Sequence, residues 1–136
     1  PSAPLSRSTS MLEPLKRDLV KCEDMRLHSQ QAVKFLAGRP LSEFLKDDMA
    51  QAAVIRCLEV VGEAARQVSE ETRLRAPGIP WKLVTGMRHV LAHDYGNVDP
   101  ARVHSVVTEH LSALVLHLAV LIPLLEKSVG WSDKKN

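Results

Sequence analysis

One stretch of the chain, residues 86–96 (GMRHVLAHDYG), concentrates side chains that can do chemistry. Arginine carries a permanent charge on a planar fork, which suits a phosphate and the extra charge of a phosphorane. Histidine exchanges a proton near neutral pH, as activation of a ribose 2′-hydroxyl or protonation of a leaving 5′-oxygen requires. Arg88 and His93 together fit a metal-independent ribonuclease site. Tyr95 adds a hydroxyl beside a loop, where it could bind phosphate or be modified.

The spacing of these residues leaves other interpretations open. On an ideal helix Arg88 and His93 lie about 140° apart, so they meet at one ligand only if the helix is distorted or a second subunit completes the pocket. Spacing alone favours a solvated helix face over a catalytic centre. His89 and His93 match the i, i+4 spacing of zinc-binding helices, but position 90 is Val instead of the usual Glu, and no third ligand is evident. The same side chains could also hold a nucleotide without cleaving it.

Apolar residues recur at three- and four-residue steps along most of the chain, which predicts amphipathic helices. We expect helices or short helical turns over residues 11–36, 41–46, 48–75, 81–85, 87–94 and 100–127. Asp99 and Pro100 predict the start of the last helix, because Asp caps helices and Pro fits the first helical position. Pro123 is expected to kink or fray its last turn. Short connections between these helices predict an all-α, up-and-down bundle of four to five helices.

The length and composition set the domain organisation. The chain has 136 residues, 45% hydrophobic and 25% charged, which is enough for one domain. We expect residues 1–10 to be a disordered extension or a cloning remnant, residues 11–130 to form the helical domain, and residues 131–136 to be a flexible tail. Cys22 and Cys57 fall in apolar stretches, which predicts buried free thiols.

The most apolar window, residues 111–125, bears on location. It is interrupted by His117 and Pro123 and is shorter than the roughly 20 residues of a membrane span. We therefore expect a buried or subunit-interface helix and no membrane partner. The absence of a leader pattern at the start of the sequence favours a cytoplasmic location.

The charges are nearly balanced, with 18 Lys and Arg against 16 Asp and Glu. A net charge of +2 does not predict a surface that coats a polyanion, so a nucleic-acid role would need a local site. The cations that could supply such a site are Arg56, Arg66, Lys82, Arg88 and Arg102.

The residues around Arg88 also carry a family likeness. Arg88-x4-His93-x-Tyr95 resembles the signature of HEPN domains, specifically the HepT-like toxins of HepT/MntA toxin/antitoxin pairs. The likeness covers about residues 11–127, and three further segments agree with it in order: residues 51–65 (QAAVIRCLEVVGEAA), 79–81 (IPW) and 86–88 (GMR).

The resemblance implies a four- or five-helix bundle, usually a homodimer, that acts as a metal-independent endoribonuclease with no cofactor. Arg88 corresponds to the phosphate and transition-state ligand, and His93 to the general acid or base. His89 occupies a position that is usually polar in the family, and Asp94 supports the motif. Tyr95 corresponds to the tyrosine that an MntA-type nucleotidyltransferase antitoxin modifies with AMP, which would block RNA by bulk and like-charge repulsion.

Two functions follow from this resemblance. In the first, the chain is a ribonuclease toxin that cleaves RNA, with tRNA as a candidate substrate. In the second, it is a non-catalytic HEPN dimer that serves as a binding platform for a nucleotidyltransferase or for nucleotides.

Overall fold

A computed structural model describes the backbone of residues 3–92 and 97–130 and the side chains of residues 12–92 and 97–130. The helices in these ranges are α1 (Ala3–Leu36), α2 (Leu41–Phe44), α3 (Asp48–Arg66), α4 (Glu70–Leu74), α5 (Trp81–Thr85), α6 (Met87–Leu91), α7 (Pro100–Glu109) and α8 (Leu111–Ser128). Outside these eight helices, the described part of the chain holds one isolated antiparallel bridge and no strand. The predicted all-α fold is confirmed.

The core lies where α1 packs along α3 and α8, with α7 closing one end. Each long helix turns one apolar stripe inward, as its three- and four-residue spacing predicts. The fully buried residues include Met25, Leu36, Phe44, Leu58 and Leu118. Burying a side chain of this size contributes about 1.5–3 kcal/mol, so this core is the main source of stability.

The ends of the chain differ from the prediction in one respect. Helix α1 begins at Ala3, ahead of the predicted start at Met11. The division into an extension, a domain and a tail stays a prediction, and residues 131–136 lie outside the described residues.

The helix predicted over residues 48–75 is two helices, α3 and α4, because a buried carboxylate redirects the chain between them. The side chain of Asp18, on α1, accepts hydrogen bonds from the backbone N–H of Ser69 at 3.0 Å and from its hydroxyl at 2.5 Å. It also accepts one from the Thr72 hydroxyl at 2.5 Å. Ser69 is the N-cap of α4, so Asp18 fixes the point where the second helix starts.

The last predicted helix is also divided, at His110, where φ is −123°. As predicted, the Asp99 side chain caps α7 by accepting from the N–H of Ala101 at 2.9 Å, with Pro100 in the first helical position. Helix α8 then continues past Pro123 to Ser128, so the expected fraying of its last turn is not seen.

Helix α8 is longer than the apolar window that predicted it. Its 18 residues have a mean hydropathy of 1.6, which by length and composition alone would suffice to cross a membrane. Apolar core helices reach the same values. One side of α8 is buried through residues such as Leu114, Leu118 and Leu121, whereas Leu116 and Val120 on the other side are exposed. The burial of one side confirms the prediction of a buried helix. The alternative, that this helix lies at a subunit interface, stays a prediction.

Both cysteines are buried free thiols, as predicted. Burial, together with the nearby charges of Asp18 and Glu23, raises the pKa of Cys22 to about 12. Burial also raises the pKa of Cys57. Since the thiolate is the reactive form, neither side chain suits nucleophilic or redox chemistry at neutral pH.

Candidate functional site

Helix α6 carries the first residues of the candidate motif, and its position follows from the glycine that precedes it. Gly86 ends α5 and begins α6, so the two short helices meet without an intervening loop. A Cβ at position 86 would lie 3.1 Å from the carbonyl oxygen of Lys82, which makes this tight junction favourable for glycine. Within α6, Met87 and Leu91 are buried one turn apart and anchor the helix in the core.

A second glycine sets how closely α6 approaches α3. A Cβ added to Gly62 would lie 2.9 Å from the Cβ of Met87 and 3.2 Å from the carbonyl oxygen of Val84. Those distances are shorter than ordinary van der Waals contacts, so the two segments can touch only because residue 62 has no side chain. Gly62 therefore positions the helix that bears Arg88.

Replacement of Gly62 by Ala is expected to destabilise the fold by about 1–3 kcal/mol, the usual cost of overpacking. The direction of the stability change is informative, because replacement of Gly by Ala inside a helix otherwise stabilises the helix by roughly 0.5–1 kcal/mol. The urea midpoint at constant m reports the change. Ala52→Val is the control, since Ala52 is exposed on the same helix. A midpoint that rises in Gly62→Ala would contradict the proposed role.

Arg88 and His89 face outward from α6, and both are exposed. Among the residues whose side chains are described, no carboxylate lies within ion-pair distance of the Arg88 guanidinium. The planar fork of an exposed arginine suits a phosphate.

Two clefts meet at Arg88. The first, of about 380 Å³, lies between α1, α3 and α6, and the second, of about 500 Å³, lies between α3, α6 and the chain before α7. Arg88 and Glu59 line both clefts. The first cleft is balanced in charge, with the cations of Lys21, Arg56 and Arg88 against the carboxylates of Asp24, Glu59 and Glu63.

Sequence reasoning missed Glu59 as a wall of the site. Its place on the polar side of α3 gave no sign that this side faces α6 and not open solvent. Arg56 lies 3.8 Å from Glu59 in an exposed pair, which is worth little in stability.

The helix ends before the rest of the motif. Helix α6 stops at Leu91, and Ala92 has extended backbone with ψ 145°. The prediction of a helix to Asp94 is therefore wrong at residue 92, and its remaining part concerns residues 93 and 94. The residues His93, Asp94 and Tyr95 lie outside the described residues.

The chain on either side of residues 93–96 is tied together. Ala92 and Val98 form the antiparallel bridge, and the Asp99 N–H donates to the Leu91 carbonyl at 2.8 Å. The Arg102 guanidinium donates to the Ala92 carbonyl at 2.8 Å. These bonds hold both ends of the segment beside α6. Arg102 was predicted as a cation that could face RNA. In the structure its guanidinium instead donates to the backbone carbonyl of Ala92.

The remaining predicted cations divide into two groups. Arg56 lines the first cleft with Arg88. Arg66 and Lys82 line a third cleft, which also contains His89. Within the described ranges, no group of three His, Cys, Asp or Glu side chains could hold a metal ion.

The structure is thus an all-α bundle with an exposed arginine, Arg88, at the junction of two clefts, and sequence comparison gives its family. A sequence model of the ribonuclease HepT-like family matches residues 25–121. The chain belongs to this family.

Three curated proteins illustrate the relationship. The chain is 33% identical over 86 residues to a candidate RNase of Methanocaldococcus jannaschii, a match that covers 63% of this chain and 79% of that protein. It is 37% identical over 76 residues to a second candidate RNase of the same organism, covering 56% of this chain and 66% of the relative. It is 38% identical over 72 residues to "Probable ribonuclease HepT" of Thermococcus cleftensis, covering 53% and 66% respectively. The chain thus spans about two thirds of the length of the last two relatives. No solved structure matches the chain.

Proposed function

We propose that this protein is a metal-independent endoribonuclease whose site is built around Arg88. The observation that carries the proposal is the exposed Arg88 guanidinium, unpaired among the described side chains, at the junction of two clefts in a chain of the HepT-like ribonuclease family. Its curated relatives bear ribonuclease names, which supports the same activity.

In this proposal the reaction is an internal transfer at phosphorus. The ribose 2′-oxygen forms a bond to phosphorus and loses its proton to a base, while the bond from phosphorus to the 5′-oxygen breaks and that oxygen gains a proton. Arg88 binds the phosphate and the charge that develops on it, and His93 exchanges the proton. His89 and Asp94 support these two residues.

We further propose that two copies of the chain form a homodimer with their motifs facing across the interface. A second copy would bring a second His93, so that one histidine could act as base and the other as acid. The bridge between Ala92 and Val98 and the bond from Arg102 to the Ala92 carbonyl hold together the described residues on either side of 93–96.

The finer parts of the proposal concern regulation. We propose a toxin of a toxin/antitoxin module in the cytoplasm, with RNA and in particular tRNA as substrate. An MntA-type nucleotidyltransferase would neutralise it by adding AMP to Tyr95. The added phosphates would repel RNA and obstruct the Arg88 site.

The test compares wild type with His93→Ala at equal folded content, using total tRNA in EDTA and a denaturing gel. Only the wild type is expected to cleave, because EDTA removes any metal contribution and the variant lacks the proton carrier. His110→Ala is the control, since His110 is exposed and its side chain forms no cap bond. Its activity is expected to match that of the wild type.

Two outcomes of this test would contradict the nuclease proposal or the role of His93. If the wild type does not cleave although its intact mass shows an unmodified Tyr95, the nuclease proposal is wrong. The non-catalytic platform for a nucleotidyltransferase or for nucleotides would then be favoured. Equal cleavage by His93→Ala would show that His93 is not the proton carrier.

A further inference from the structure

A third cleft adjoins the candidate site on the far side of His89. It is open, has a volume of about 730 Å³, and shares His89 with the second cleft. Its apolar floor is formed by Pro80, Leu83 and Val90. Leu83 and Val90 are partly buried and pack against the core, so the floor is fixed by the fold.

The rim of this cleft is cationic. Arg66 and Lys82 lie on it, and no carboxylate belongs to the described residues that line it. The Arg66 guanidinium is paired with Glu63 at 2.5 Å. The Lys82 ammonium has no ion-pair partner in the described parts of the chain, so its charge is available to a ligand.

The two clefts that flank the Arg88 and His89 surface therefore differ in what they can accept. The first cleft sets three carboxylates against its three cations, so it offers no net positive charge to a phosphodiester backbone. The third combines an aliphatic floor, on which the apolar face of a nucleobase can pack, with the Lys82 cation, which suits a phosphate. A base inside a duplex is stacked and paired and cannot lie on such a floor, whereas an unpaired base can.

We propose that the third cleft binds an unpaired nucleotide of the RNA, next to the phosphate held by Arg88. The base lies on Leu83 and Val90, and its phosphate contacts Lys82. His89 lies between the two subsites because it lines both clefts. The inference rests on the proposed function, since it takes Arg88 as the ligand of the scissile phosphate, and it makes single-stranded RNA the preferred substrate.

The experiment measures binding without cleavage. Lys82→Glu and Lys46→Glu are each made in the His93→Ala protein, and fluorescence anisotropy follows a labelled single-stranded RNA and its duplex form over a range of salt concentrations. Lys46 is the control because it is an exposed lysine that lines none of the three clefts. Lys82→Glu is expected to weaken single-strand binding by about tenfold or more and to reduce the salt slope by about one, the effect of one lost phosphate contact.

Equal weakening by Lys82→Glu and Lys46→Glu would overturn the inference, as would equal affinity for the single strand and the duplex in the parent protein. A single-stranded RNA that carries 4-thiouridine provides a second readout, because its crosslink should map to residues 80–90. A crosslink elsewhere also overturns the subsite. Failure of the nuclease proposal is seen separately, since it concerns cleavage by wild type and these measurements use a protein without His93.

Discussion

Replacement of Arg88 by Ala is expected to slow RNA cleavage by about 100- to 1000-fold, the usual effect of removing one preorganised donor to a developing negative charge. The guanidinium has no ion-pair partner among the described side chains, so its removal leaves no carboxylate uncompensated. The fold is held by Met87 and Leu91 on either side, which the substitution leaves in place. The effect should therefore appear in single-turnover cleavage and not in the urea midpoint.

Arg88→Lys separates charge from geometry. Lysine keeps the positive charge but lacks the planar fork, so we expect only part of the activity to return. Arg75→Ala is the matched control, because Arg75 is an exposed arginine that lines none of the three clefts. A variant at position 88 that cleaves as fast as the Arg75 control would contradict the role of Arg88.

The sequence predicted the part of the site that local spacing determines. A helix that begins at Met87 was predicted, and Met87 and Leu91, four residues apart, are both buried on it. The end of that helix at Leu91 was not predictable in the same way. It depends on the Ala92–Val98 bridge and on the Arg102 guanidinium, which are contacts between segments distant in sequence.

The residues around Arg88 were harder to predict from the sequence for the same reason. Glu59 lies on the polar side of α3, which the sequence pattern predicts to face solvent. The close approach of α3 and α6 at Gly62 brings that side against α6. The balanced total charge likewise concealed an uneven distribution. Carboxylates are concentrated in the first cleft and, among the described lining residues, are absent from the third.

The helix boundaries show which features the local sequence predicts and which depend on tertiary contacts. The start of α7 was predicted because Asp99 and Pro100 act within one turn. The break before α4 was missed because its cause, Asp18, lies 51 residues from Ser69. Periodicity alone continued the helix across it.

Replacement of Asp18 is expected to have a large effect on stability, whereas replacement of Arg88 affects cleavage. Asp18 is only 2% exposed, and its side chain accepts three hydrogen bonds, from the Ser69 N–H, the Ser69 hydroxyl and the Thr72 hydroxyl. Asp18→Ala leaves these donors without their acceptor in a buried site, where each unsatisfied group costs about 1–3 kcal/mol. We expect the free energy of unfolding to fall by about 3 kcal/mol or more, measured by urea denaturation.

Asp18→Asn should lose less, since its amide oxygen can still accept from the Ser69 N–H while the hydroxyls reorient. Glu71→Ala, at an exposed acidic residue in the first turn of α4, is the control and should lose less than about 1 kcal/mol. An unchanged midpoint in Asp18→Ala would show that α4 does not depend on this carboxylate. The two largest effects are then distinguishable, because cleavage by Asp18→Ala should follow its folded fraction, whereas Arg88→Ala should cleave about 100- to 1000-fold more slowly although fully folded.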